Sequence, residues 1–345
     1  MTFTIAPLLI QDGLTNGLIY ALLALAILLV FVVTRVLWVA AGDFVVLGAI
    51  TCALIRQGEI PGTVYLLAAL AVTSTTLSLW RARADLAPAW KRVVLLELLV
   101  PLVICALAYV LTPMKPPLAV QLALVLALVT PLGFLVYRVA FRPIADRPVL
   151  TLLFVAVAVH YALTGLGLAF FGSEAFRSQP FVPGRIDVGF TRISWQLILV
   201  LAASALMMVA FWMFFGRNLW GKALRATAVN RLGARLVGIR PEAAGDVAFT
   251  ISALVAAISG ILIGPVTALY YDSGFLIGLK GFIGTVIGGM VSFPLAVLGA
   301  VLVGLVESFS AFYASALKEA IVFALLAPFL LWRSAFEPRG QEDDH

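Results

Sequence analysis

The sequence predicts an all-α integral membrane protein, a polytopic helical bundle of about nine or ten spans with broken or re-entrant helices and an inverted repeat. Three observations carry this. Of 345 residues, 63% are hydrophobic and 12% charged, against roughly 45–50% and about 25% in a soluble domain. Long uncharged stretches recur at the ~20 residues that a bilayer core of about 30 Å demands. Glycines cluster inside apolar runs at two separate places in the chain. A mean hydropathy of +1.11 excludes a soluble enzyme with one buried core, because that much apolar surface cannot be hidden in a chain of this size.

The uncharged stretches are Gly13–Thr34, Ile60–Trp80, Pro116–Tyr137, Pro148–Ser173, Ile193–Gly216, Val247–Tyr271 and Gly281–Val306. Weaker spans are Val36–Ile55, interrupted by Asp43, Val93–Met114, with Glu97 near its start, and Ser315–Trp332, headed by Lys318 and Glu319. Backbone polar groups in lipid must be satisfied within their own segment, which makes these helices. The run after residue 12 is too long for a removable signal peptide and lacks a small-residue cleavage site. Residues 1–345 read as one transmembrane domain, with a cytoplasmic helical loop at 217–241 and a polar carboxyl-terminal tail at 334–345.

Basic residues orient the bundle. Loops 81–92, 138–147 and 217–246 hold thirteen Lys and Arg, whereas Arg56, Lys115, Arg177, Arg185 and Arg192 are the five in the alternate loops. The positive-inside rule places the first set in the cytoplasm and the amino terminus outside. The net charge of +6 and pI near 9.5 then report a membrane face rather than nucleic acid. Cys52 and Cys105 lie inside apolar runs and read as small core residues.

Ala40-Ala41-Gly42-Asp43-Phe44 breaks the pattern just after the first helix, and Gly278 to Gly289 breaks it again before Pro294. Short, Gly-interrupted segments at matching places in two halves point to discontinuous helices beside a transport path. Close helix packing at small-xxx-small spacing, as at Gly284/Gly288, is the other reading of the same glycines.

In loop 216–241, Leu224, Ala228, Leu232 and Leu236 recur every four residues with Lys222, Arg225 and Arg231 between them, which reads as one amphipathic helix. Ala223, Ala226, Gly233 and Ala234 keep it slim, Gly238 supplies the stop and Pro241 prevents continuation. Such a helix suits a cleft in a soluble partner, or anionic headgroups. Gly216-x-x-x-x-Gly221-Lys222 opens like a phosphate-binding loop. It fails because Ala223 stands at the Mg²⁺-binding hydroxyl position and a membrane helix precedes it. The chain is not expected to bind ATP itself.

Ionisable groups at depth are candidates for function. His160, beside Tyr161 and Thr164, reads as a path contact or as a neutral imidazole bonded to a helix carbonyl. Asp43 reads as a stabiliser of a short helix's amino end or as a solute contact. Lys280 faces a solute carboxylate or the outer headgroups, Glu307 pairs with Lys318 or a partner subunit, and Glu97 snorkels towards Arg92. Asn16 and Tyr20, one turn apart, offer polar contacts along a path or between helices. The candidate path is thus Asn16, Tyr20, Gly42, Asp43, His160, Thr164, Lys280, Gly284 and Gly288. No His-Glu-x-x-His, Gly-x-Ser-x-Gly or cysteine pair at metal spacing occurs, so neither catalysis nor a cofactor is expected.

Several of these motifs together carry a resemblance. They are Gly13-Leu14-Thr15-Asn16-Gly17-Leu18-Ile19-Tyr20-Ala21-Leu22, Ala41-Gly42-Asp43 with Leu47-Gly48-Ala49, Tyr137-Arg138 and Phe141-Arg142-Pro143. To these add Gly221-Lys222-Ala223-x-Arg225-Ala226 through Asn230 to Gly238-Ile239, and Gly278-Leu279-Lys280-Gly281-Phe282 before Gly288-Gly289. The chain resembles the first, H-type permease subunit of branched-chain amino-acid ABC importers. That resemblance implies a bacterial inner-membrane, multi-pass subunit working by alternating access. It implies two separate ATPase subunits, a second and related permease chain, and an extracytoplasmic solute-binding protein that loop 172–192 helps to dock. It makes residues 217–241 the coupling helix, with Gly221, Lys222, Ala223, Arg225, Ala226, Asn230, Ala234, Gly238 and Ile239 as the ATPase-coupling residues. Two departures are visible. Val39-Ala40-Ala41-Gly42-Asp43 replaces an Asn-Phe-Ala-His-Gly-Glu type segment, losing its amide and imidazole, and residues 56–115 are long enough to add two helices. The competing reading is an ion-gradient-driven secondary transporter of small solutes, for which Asp43 and His160 are the available coupling groups. A passive channel would need neither energy source.

Overall fold

Apolar runs that must satisfy their own backbone become helices throughout the computed structural model, which describes residues 2–81, 94–187 and 192–336. In chain order these are α1 (Thr2–Thr34), α2 (Ala41–Gln57), α3 (Thr63–Arg81), α4 (Val94–Met114), α5 (Leu118–Ile144) and α6 (Val149–Phe171). A two-stranded antiparallel ribbon follows, β1 (Arg185–Asp187) and β2 (Arg192–Ser194). Then come α7 (Trp195–Arg217), α8 (Leu219–Val229), α9 (Arg231–Leu236), α10 (Pro241–Ile263), α11 (Gly274–Ile287), α12 (Phe293–Tyr313), α13 (Lys318–Ala324) and α14 (Leu326–Phe336).

Eight described helices, α1, α3 to α7, α10 and α12, are long and apolar enough to cross a membrane. The remaining expected spans are built from shorter pieces. Val36–Ile55 becomes an irregular segment followed by the 17-residue α2. The expected span Gly281–Val306 is corrected: it is broken by a turn at residues 288–292, where Gly289 (φ 71°) and Met290 (φ 58°) are left-handed. The chain therefore folds back between α11 and α12 rather than crossing once. Ser315–Trp332 becomes α13 and α14, separated at Leu325. Among the described residues of 56–115, two helices are present, α3 and α4.

Contacts at helix ends define two ends of the bundle. At one, Arg56 donates to the Gln179 carbonyl and the Lys115 side chain lies along Gly58. At the other, called the basic end here, α9 meets the α5–α6 turn, where Arg231 donates to the Ala145 carbonyl at 3.3 Å. α1 lies at the centre, antiparallel to α12, with Gly13 and Gly17 packed on the backbones of Leu305 and Val301. Much of α4, α6 and α7 faces outward.

The inverted repeat takes a specific shape. α1 runs towards the basic end; residues 35–40 turn back into the bundle, and α2 continues to the far end. α10 runs towards the far end; residues 264–273 turn back, and α11 continues to the basic end. The first return starts at Arg35 (φ 62°) and is filled by Trp38, fully buried among Phe44, Phe141 and Phe249 with ring centroids 4.8–5.6 Å away. Cys52 and Cys105 are buried and free, the latter with Sγ 3.3 Å from the Val64 carbonyl.

Candidate functional site

The amino ends of α2 and α11 meet inside the bundle. A Cβ on Gly42 would fall on the Gly274 carbonyl oxygen and the Gly278 backbone, and a Cβ on Gly278 would meet the Val39 carbonyl. Only glycine lets two helix ends approach this closely. Both dipoles therefore present their positive ends to the same place.

Asp43 sits there, in the first turn of α2 and 4% exposed. Its Oδ2 lies 2.8 Å from Nδ1 of His160, the middle of α6, while its Oδ1 has no hydrogen-bond partner. Phe275, at the start of α11, lies over the imidazole with centroids 5.0 Å apart. Thr164, one turn beyond His160, holds an enclosed hydroxyl that is also unpartnered. His160 is thus not bonded to a helix carbonyl as one sequence reading had it: its partner is the Asp43 carboxylate, brought from a distant part of the chain. Asp43 makes no side-chain cap on α2, so its place at the amino end acts through charge and not through a capping hydrogen bond.

The other path candidates fall elsewhere. Lys280 is 5% exposed and does not reach headgroups: its Nζ lies 2.6 Å from Glu307 Oε1 and 3.2 Å from Glu319 Oε1. A buried ammonium needs such counter-charges. Tyr20 donates to Glu307 Oε2 at 2.7 Å, and Lys318 approaches the same carboxylate at 3.5 Å. Glu307 therefore joins α1, α11, α12 and α13 at once, more centrally than its position in the sequence suggested. Gly284 and Gly288 pack against Ala300 and Ala296 of α12. Asn16, half-buried one turn before Tyr20, joins neither cluster by a hydrogen bond.

A third buried cluster escaped the sequence reading. Glu97 does not snorkel; it is 1% exposed, accepts from Ser74 Oγ at 2.6 Å and Ser78 Oγ at 2.9 Å, and pairs with Arg138. Arg92, its expected neighbour, lies outside the described residues. Arg138 also reaches Asp246 at 3.1 Å. It is counted among the loop cations in the sequence but turns into the bundle. Ser74 and Ser78, one turn apart, were the available signal.

At the basic end, the expected single helix is two. Asn230 interrupts it, ending α8 and capping α9 by accepting from the Gly233 amide at 2.8 Å. The break rotates the apolar stripe: Leu224 is fully buried, whereas Leu232 and Leu236 are 69% and 82% exposed. Gly221 lets α8 fold back on the end of α7, where a Cβ would strike the Phe214 carbonyl. Ala223 and Ala226 are half-buried, Lys222 and Arg225 project outward, and Ala234 is buried. Gly238 (φ 85°) and the Ile239 amide, bonded to Ala234 O at 2.9 Å, close α9 as predicted. Gly216 and Gly221 both lie in helices, so no phosphate loop forms. Among the described residues, no group of three or more His, Cys, Asp or Glu is placed to hold a metal.

Against this geometry, the family model described as branched-chain amino acid transport system / permease component matches residues 9–330. The chain belongs to this permease family. It is 30% identical over 208 residues to the high-affinity branched-chain amino acid transport system permease protein BraD of Pseudomonas aeruginosa, covering 58% of this chain and 68% of that protein. It is 30% identical over 206 residues to the corresponding LivH protein of Escherichia coli K12, covering 58% and 67%. A shorter match, 30% over 118 residues and 33% of this chain, is to the autoinducer 2 import system permease protein LsrC of Shigella flexneri. No solved structure matches the chain. As a permease-family member the protein is a multi-pass membrane transport component and not itself the catalytic subunit.

Proposed function

We propose that this permease carries branched-chain or other small amino acids, or related small solutes, across a bacterial inner membrane, driven by ATP hydrolysis on separate subunits. The observation that carries the coupling role is the α8–α9 pair. Two short helices stand at the basic end with Val229, Leu232, Leu236 and Val237 69–87% exposed beside Lys222, Arg225 and Arg235. Exposed apolar side chains ringed by cations are what a soluble partner's cleft covers. Two ATPase subunits, a second related permease chain and an extracytoplasmic binding protein complete the assembly, with the basic end cytoplasmic.

Gly221 and Gly238 hold the coupling segment at its two ends, and Asn230 gives it a joint. Movement of α9 is passed on through Arg231 to the α5–α6 turn and through Arg235, 2.9 Å from Glu242, to the start of α10. α10 leads to the return segment and to α11, whose amino end meets α2 at Asp43. Opposed helix ends of this kind alternate access when one repeat rocks against the other. Relatives named for branched-chain amino acids support the solute class, and the sparse charge near the junction suits a zwitterion better than a polyanion. The test is transport by proteoliposomes holding the permease pair, ATPases and binding protein. Leucine uptake that requires ATP supports the reading; uptake by this chain under an ion gradient alone supports the secondary-transporter alternative.

A further inference from the structure

The end opposite the basic helices is poor in Lys and Arg, yet three of its few cations meet in one place. Arg56 from the end of α2, Lys115 from the α4–α5 turn and Arg177 from the loop after α6 line a single cavity of about 620 Å³, together with Gln57, Gln121 and Ser178. None of the three cations is ion-paired among the described residues. Three like charges brought together from separate segments repel one another unless an anion joins them.

Neutral groups hold the two guanidiniums without cancelling their charge. Arg56 donates to the Gln179 carbonyl and lies over the Phe181 ring, 4.9 Å from its centroid. Arg177 donates to the carbonyls of Pro265 at 3.3 Å and Val266 at 3.2 Å. At the end of α2, the carbonyls of Ile55 and Leu54 already accept from the Gly58 and Glu59 amides, at 3.1 and 3.0 Å.

One further feature favours an anion. α5 begins at Leu118 on the cavity wall, adding the positive end of a helix dipole. The volume is that of a small-molecule site, commonly about 300–1,000 Å³.

We propose that this cavity is an anion site that takes a compact oxyanion, a carboxylate or phosphate group, gripped by Arg56, Lys115 and Arg177. Two sources present this chemistry: a free small anion, or the headgroup of an anionic phospholipid at the cavity's edge. The site goes beyond the transport reading and does not depend on it, since it lies away from both α8–α9 and the Asp43 junction.

The test uses the full chain in phosphatidylcholine nanodiscs, titrated with inorganic phosphate and with acetate while thermal unfolding is followed. A parallel sample contains phosphatidylglycerol, and retained lipid is counted by native mass spectrometry. Stabilisation by a free anion in neutral discs, or selective retention of phosphatidylglycerol, each supports the site and tells the two sources apart. Lys115→Gln, on an exposed turn, and Arg177→Gln should each weaken the effect about tenfold. Arg185→Gln, a cation outside the cavity, should leave it unchanged. Neither anion stabilising the protein and no preference for the anionic lipid would overturn the proposal, as would equal binding by wild type and both cavity variants.

Discussion

Asp43 Oδ2 and His160 Nδ1, 117 positions apart in the chain, lie 2.8 Å from each other where the amino ends of α2 and α11 converge. The pair ties α6, whose surface is otherwise largely exposed, to the inner half-helices. His160→Ala would leave a buried carboxylate without its partner, a change of roughly 3–5 kcal/mol when a buried pair is broken. Asp43→Asn should restore much of that in the double variant. A double-mutant cycle in denaturant unfolding checks this, with a coupling of about 0.5–3 kcal/mol expected. A coupling near zero would mean the two side chains do not act on each other.

Glu307 is the common partner of Lys280, Tyr20 and Lys318. Glu307→Gln should destabilise the protein more than the paired change Lys280→Met with Glu307→Leu, because the single variant strands an ammonium and the double removes both charges. Unfolding midpoints of the two variants, measured in the same detergent, provide the comparison.

Gly42→Ala puts a Cβ onto the Gly274 carbonyl, a backbone atom that cannot turn aside. Overpacking of this kind typically costs about 1–3 kcal/mol. Gly165→Ala, where a Cβ meets nothing within 4 Å, is the control and should be neutral or slightly stabilising. A lowered melting temperature for the first alone confirms that the junction depends on close backbone approach.

Asn230→Ala removes the α9 cap, at about 1 kcal/mol. Because α9 is six residues long, the loss should loosen the joint rather than unfold the bundle. Transport per ATP hydrolysed should fall in the reconstituted assembly while the amount of inserted protein stays constant.

Much of the architecture was legible in the sequence because lipid imposes a simple rule on span length and backbone satisfaction. The Gly42 and Gly278 breaks were visible for the same reason, and so was the stop at Gly238. The pairings were not, since hydrophobic periodicity says where a charge lies along a helix but not which helix faces it. Glu97 and Lys280 turned inward to partners that only the three-dimensional packing supplies, whereas of the partners of Glu307 only Lys318 was legible. A repeat of four from Leu224 to Leu236 suggested one helix, but Asn230 caps a second one and turns Leu232 and Leu236 outward. The turn between α11 and α12 falls where the glycines up to Gly289 and Pro294 mark a break, but the left-handed Met290, an ordinary apolar residue, gave no sign that the chain folds back there.

Coupling through α8 and α9 is the central claim, and Ala226→Pro tests it most directly. Proline inside α8 costs about 3 kcal/mol or more of helix stability, and the variant is measured with ATPases and binding protein in one proteoliposome preparation. Continued ATP hydrolysis with solute uptake abolished is the predicted result. Uptake at the wild-type ratio to ATP hydrolysed, with α8 disrupted, would contradict it.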